Sequence, residues 1–202
     1  MKIIGITGGV GSGKSRVLSY LEITYGASIC QADHVAWELQ TPGTTCYREI
    51  VECFGTEILS SELPDAAIDR AKLGQIVFAD TVQLTKLNAI MHPAVKQEIE
   101  RRIEQEKERG TKFFILEAAL LIEEDYGAIC DELWYIYTSE SIRRQRLKES
   151  RQYSDARINE IMTKQLSEDV FRIECDRVIE NSGEFADTAR QIAQILQILK
   201  DS

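Results

Sequence analysis

Eight residues near the start of the chain constrain its fold more than any others. Gly8-Gly9-Val10-Gly11-Ser12-Gly13-Lys14-Ser15 directly follows the apolar run "KIIGIT" (2–7) and leads into a helical pattern from Lys14 to about Tyr25. Glycines at this density permit positive φ and close backbone approach, so successive N–H groups can converge on one point. A strand that turns into a helix through such a loop predicts an α/β architecture.

The rest of the chain keeps that rhythm. "ASIC" (27–30), "FFILEAALL" (113–121) and "LWYIYT" (133–138) read as strands, and "RVIEN" (177–181) as a weaker fifth. Runs this apolar suit strands buried on both faces, and the helical patterns between them predict a parallel five-stranded sheet flanked by helices. Residues 44 to about 110 break the alternation and read as a helical insertion. Within it Leu87, Met91, Val95, Ile99 and Ile103 recur at four-residue spacing, and Gly110 is a helix stop. His92-Pro93 interrupts that run, which predicts a new helix opening at Pro93. Phe185, Ala189, Ile192, Leu196 and Leu199 form a stripe expected to pack a terminal helix on the core. The division expected is a single domain over 1–202, with a core of 1–43 and 111–202.

Composition narrows the function classes. At 202 residues, 44% apolar and 28% charged, the chain is long enough to bury a sizeable core. A formal net charge of −9 disfavours a general nucleic-acid or anionic-membrane binder, since both need basic surface. No segment approaches the roughly 20 apolar residues of a membrane span, and "MKIIGITGG" lacks a signal-peptide run. Five scattered cysteines with no Cys-x-x-Cys pair suit reduced thiols, so a cytoplasmic setting is expected. Two histidines, His34 and His92, lack zinc-site spacing.

The glycine loop satisfies the pattern Gly, four residues, Gly-Lys-Ser in the strand-to-helix context that pattern requires. Its N–H groups and the positive end of the following helix suit a polyphosphate. Lys14 would reach the β- and γ-phosphates, and the Ser15 hydroxyl would ligate Mg²⁺. These residues imply a nucleoside triphosphate site of the P-loop NTPase type. No Asn-Lys-x-Asp guanine-reading motif accompanies it. Asp33, just past the second strand, could orient or accept a hydroxyl proton; it could equally cap a helix over 34–40.

The order of motifs resembles the dephospho-CoA kinase family over nearly the whole chain. The resemblance rests on "GITGGVGSGKS", "ADHVAWELQTPG" (32–43), "FGTEIL" (54–59), "IDRAKLGQIVFAD" (68–80), "LNAIMHPAV" (87–95), "LEAALLIEE" (116–124), "QRL" (145–147) and "DRVIENSG" (176–183). It implies an ATP- and Mg²⁺-dependent kinase acting on the ribose 3′-hydroxyl of dephospho-CoA. It also implies a core, a helical insertion that binds CoA and a mobile lid, about 143–165. A monomer with no nucleic-acid or membrane partner is expected.

Position by position, Asp33 matches the family's proposed base, and Gly9 to Arg16 match the ATP loop. Glu117 matches a strand-end acid that could hold Mg²⁺ through water or pair with a cation. Arg70 and His92 match positions on the CoA side, against the alternatives of an ion pair with Asp69 or Glu62 and a helix cap. Asn181 matches a position near the nucleotide base, or serves its Ser-Gly turn. Arg151, Arg146 and Arg143 are the lid candidates for phosphate contact. Departures fall at Gln31 (an acid in the family), Arg16 (Thr), Ala119 (Pro), Ser150 (Arg) and Val170 (Lys). Those at Gln31, Ala119, Ser150 and Val170 keep open a non-catalytic nucleotide-binding relative, and another small-molecule kinase of the superfamily is the second alternative.

Overall fold

A computed structural model describes residues 1–63, 65–124 and 126–201, without the side chains of 200 and 201. Five strands form one parallel sheet in the order β2-β3-β1-β4-β5. They are β1 (Lys2–Thr7), β2 (Ser28–Gln31), β3 (Phe113–Glu117), β4 (Glu132–Tyr137) and β5 (Arg177–Glu180). Helices α1 (Lys14–Tyr25), α2 (Ala32–Leu39), α3 (Thr45–Phe54), α4 (Arg70–Ala79), α5 (Thr81–Glu108), α6 (Glu140–Arg151), α7 (Asp155–Thr163), α8 (Glu168–Glu174) and α9 (Phe185–Asp201) connect and flank them. Among the described residues, no helix is long and apolar enough to cross a membrane.

The chain divides into two compact units, one of Met1–Ile29 with Glu106–Ser202, the other of Cys30–Gln105. In the first, Ile4, Ile6, Ile115, Trp134, Ile136 and Ile179 from the strands pack against Val17 and Leu21 of α1 and Ile192 and Leu196 of α9. Trp134 is fully buried there. The stripe expected on the terminal helix is therefore core, as its spacing required.

The third strand is shorter than its apolar run. β3 pairs with β1 only as far as Ile6↔Glu117, while β1 itself stays in the sheet through Thr7↔Tyr135 of β4 before the glycine loop begins. Ala118 to Glu124 turn away, with Leu120 about half exposed and Leu121 buried. A Cβ on Gly5 would come within 3.0 Å of the Leu121 side chain, so the turn closes over β1 where that strand has no side chain.

The second unit is helical apart from one antiparallel bridge, Leu59↔Ile68, and its share of β2. Thr44 caps α3 by accepting the Tyr47 N–H, and Asp69 caps α4 by accepting the N–H groups of Ala71 and Lys72. The expected helix start at Pro93 is corrected: α5 runs through it without a break. A proline inside a helix costs about 3 kcal/mol. Met91, Val95, Ile99 and Ile103 are all buried along one side of this helix, and that continuous apolar stripe outweighs the missing hydrogen bond.

Candidate active site

The glycine loop occupies residues 8 to 13 between β1 and α1. Gly13 is the N-cap of α1 with φ of 87°. A Cβ there would lie 2.5 Å from the Asn181 amide nitrogen, and one on Gly8 would lie 2.6 Å from the Ile136 carbonyl oxygen. These two positions need glycine for both conformation and space.

Side chains from distant parts of the first unit hold the loop by its backbone. The Ser12 carbonyl accepts from Asn181 Nδ2 at 2.7 Å, Thr138 Oγ1 at 2.9 Å and Arg146 at 3.3 Å. Asn181 is itself fixed, its Oδ1 accepting from Thr188 Oγ1 at 3.0 Å. Arg146 also donates to the Asn181 carbonyl at 2.9 Å. On the other side of the loop, Arg143 Nε donates to the Val10 carbonyl at 2.9 Å. Gln165 Oε1 then accepts from both Arg143, at 2.6 Å, and the Val10 N–H, at 3.3 Å. Burial pushes the Arg143 pKa down from the usual arginine value. The Ser12 hydroxyl is buried with no hydrogen-bond partner among the described residues.

Lys14 Nζ donates to the Gly8 carbonyl at 2.6 Å and lies 3.9 Å from Glu117 Oε1. The ammonium is thus folded back along the loop, between its backbone and the acid that ends β3. The pairing of Glu117 with a cation is present, and the cation is the loop's own lysine. Ser15 is exposed in the first turn of α1. Arg16, beside it, stacks its guanidinium 4.2 Å from the centre of the Phe185 ring.

No cluster of three or more His, Cys, Asp or Glu capable of holding a metal occurs among the described residues. A hydroxyl on Ser15 and a carboxylate on Glu117 are hard oxygen donors, too few to cage an ion alone. That donor set suits Mg²⁺, which keeps several waters and completes its shell with phosphate oxygens.

The three lid arginines differ in what they touch. Arg143 and Arg146 are engaged with the loop backbone. Arg151 ends α6, exposed, 5.9 Å from the centre of the Tyr153 ring and without a carboxylate partner among the described residues. Ser150, where the family has arginine, returns its hydroxyl to the Arg146 carbonyl at 2.6 Å. Val170 lies in the first turn of α8, its N–H capped by Ser167.

In the second unit, α2 begins at Ala32 with Gln31 at its N-cap and Asp33 inside the first turn. The alternative of Asp33 as the cap of a helix over 34–40 is thereby corrected. Its carboxylate is exposed and makes no hydrogen bond or ion pair among the described residues. Arg70 opens α4 without pairing to Asp69, whose carboxylate caps that helix, or to Glu62. Its guanidinium sits 4.2 Å from the centre of the Trp37 ring. His92 lies within α5, which removes the reading of it as a helix cap.

Sequence reasoning passed over Gln165, Thr138 and Thr188. Thr138 carried a signal, since it directly follows a strand whose carboxyl end meets the loop. Gln165 carried none, standing 155 residues from the N–H it accepts.

The sequence pattern of the dephospho-CoA kinase family matches residues 2–187. A dephospho-CoA kinase of Carboxydothermus hydrogenoformans is 37% identical over 198 residues, covering 98% of this chain and 94% of that protein. One from Geobacter sulfurreducens is 37% identical, covering 96% and 97%. Among solved structures, a Thermus thermophilus protein superposes with a TM-score of 0.81 at 25% identity, covering 98% of this chain and 97% of that one. Dephospho-CoA kinase from Campylobacter jejuni gives 0.72 at 21% identity, covering 98% of each, and shares the fold. A shikimate kinase of Acinetobacter baumannii, at 0.57 and 15% identity over 100% of this chain and 94% of that one, shares it more distantly. A phosphate loop of this build, continuous with a family pattern over nearly all its residues, makes this chain a member of the dephospho-CoA kinase family.

Proposed function

We propose that this chain transfers the γ-phosphoryl group of ATP to the ribose 3′-hydroxyl of dephospho-CoA, giving coenzyme A. The observation that carries the reading is the braced glycine loop with Lys14 folded against it, within a chain that matches the family almost end to end. Phosphoryl transfer depends mainly on positioning and charge stabilisation, and a loop held this rigidly supplies positioning.

Each residue takes a role from where it stands. Backbone N–H groups of Gly9 to Ser15 receive the polyphosphate at the positive end of α1. On ATP binding Lys14 leaves the Gly8 carbonyl for the β- and γ-phosphates, with Glu117 as the carboxylate it turns from. Ser15 and, through water, Glu117 would hold Mg²⁺, which supplies charge neutralisation when bound. Asp33, following the carboxyl end of β2, orients the acceptor hydroxyl and takes its proton. In parallel sheets that end is where ligands collect. Arg151 meets the γ-phosphate, while Arg146 and Asn181 hold the loop through the Ser12 carbonyl, Asn181 standing at a family position near the nucleotide base. Arg70 and His92 serve the CoA side.

Five free cysteines without a disulfide support a reducing, cytoplasmic setting. The acidic chain acts as a monomer on small molecules, without nucleic acid or membrane.

A coupled assay with ATP and Mg²⁺ against dephospho-CoA, adenosine and other nucleosides tests the reading. Turnover should be confined to dephospho-CoA. Preference for a nucleoside would assign a different kinase, and no turnover with any acceptor would leave a non-catalytic binder.

A further inference from the structure

The second unit carries an exposed aromatic residue in an unusual setting. Trp37 is 54% exposed, by far the larger exposure of the chain's two tryptophans. It is nevertheless held in place. The His34 ring stacks on it with centroids 5.6 Å apart and 30° between planes, and the Arg70 guanidinium lies 4.2 Å from its centre. Among the described residues Arg70 has no carboxylate partner and Asp33 no cationic one. An indole fixed by two planar neighbours yet open to solvent has lost rotamer freedom without gaining burial, which is the state of a preorganised platform.

Its position on α2 supplies the ligand. Asp33 and Trp37 are four residues apart in one helix, so they share a face with Cβ atoms about 5–6 Å apart. A nucleoside presents its ribose hydroxyls and its base at a similar separation. Carboxylate, indole and guanidinium on one surface correspond to ribose hydroxyl, base and phosphate.

We infer that Trp37 is the stacking platform for the adenine of the acceptor, with Arg70 bracing it beside the acceptor's diphosphate. This rests on the kinase reading and on Asp33 as the residue that meets the ribose hydroxyl. Base–aromatic stacking makes its contribution in binding, so the platform acts on acceptor affinity and discrimination.

Fluorescence provides a direct readout, because Trp134 is fully buried and only Trp37 emits from an exposed site. Dephospho-CoA should quench the exposed-type emission saturably. 4′-Phosphopantetheine, which lacks the base, should not. Trp37→Leu should abolish the quench and raise the KM for dephospho-CoA about 10- to 100-fold. The KM for ATP should stay unchanged, and Trp37→Phe should recover part of the loss. Quenching by ATP alone to the same extent would overturn the inference. So would an equal loss of phosphopantetheine affinity in Trp37→Leu, or an unchanged KM for dephospho-CoA. These failures leave a working kinase, whereas absent turnover in the wild-type chain would sink the kinase reading itself.

Discussion

The two units hold their functional groups in opposite ways. Around the glycine loop, all but the Ser12 hydroxyl among the buried polar side chains described are engaged with one another or with backbone: Asn181, Thr138 and Arg146 converge on one carbonyl, and Gln165 joins Arg143 to Val10. On α2 and α4 of the other unit, Asp33 and Arg70 stand exposed, without side-chain hydrogen bonds or ion pairs among the described residues, beside an open indole. A polyphosphate is much the same in every nucleotide, and a rigid backbone cradle can be built for it in advance. An acceptor is recognised by its own shape, and open side chains are what recognise it.

The sharpest way to break this contrast is Lys14→Ala. If the cradle's charge comes from Lys14, turnover should vanish and triphosphate binding should weaken strongly. Dephospho-CoA binding should persist. Retained activity would mean that the loop backbone suffices alone.

Asp33→Asn attacks the open side of the comparison. A positioned base contributes about 10²- to 10⁴-fold, so kcat should fall by that range with ATP affinity near wild type. Asp33 caps no helix, and Gln31 stands at the cap position. The melting temperature should therefore hold, which separates a chemical role from a structural one. An earlier melt with normal kcat would place the base elsewhere.

Asn181→Ala asks whether the cradle depends on its remote braces. The amide is buried and bonded on both sides. Removing it leaves the Ser12 carbonyl with fewer donors and the Thr188 hydroxyl with the Glu180 carbonyl as its remaining acceptor, at about 1–3 kcal/mol of stability. The KM for ATP should rise several-fold while that for dephospho-CoA stays put. Equal shifts in both would show the brace to be general rather than local.

What could be read beforehand follows the same division. The loop and α1 were legible because the signal is contiguous: an apolar strand, glycines, then a helical period. The sheet was legible from apolar runs, though β3 ends at Glu117, where its pairing with β1 stops, and the extent of that pairing is not written in β3 itself. Pro93 misled for a related reason, since a local breaker says nothing of the buried stripe that overrides it. Asp33 was legible from its place just past the second strand, and Arg70 only through its place in a family motif. The cap and ion pairs weighed against them could be decided only by where α2 begins and by what Asp69 accepts. Trp37 drew no attention because its meaning lies in Arg70, thirty-three positions further along the chain.

The smallest effect concerns what keeps the open surface in shape. Glu98 of α5 accepts from Arg101 at 2.7 Å and from Arg102 at 2.8 Å, and Arg102 also pairs with Glu38 of α2, the helix that bears Asp33 and Trp37. The hydrogen bond from Arg101, reinforced by that from Arg102, pulls the Glu98 pKa from 4.5 down to about 2. A carboxyl whose folded pKa is depressed stabilises the fold above its ordinary pKa, and that contribution is lost as pH falls from 4.5 toward 2. These pairs are partly solvated, so the effect is modest and should shrink further in high salt. Glu98→Gln should therefore flatten the dependence of thermal stability on pH below 4.5 while changing the melt near neutrality only slightly. The exposed-type emission of Trp37 should follow the same acid transition in the wild type and lose that component in the variant. If wild type and variant gave superimposable acid profiles, Glu98 would play no part in holding α2, leaving that to the Arg102–Glu38 pair and the apolar contacts of Ala32 and Val35, and the open surface would be as firmly prebuilt as the cradle.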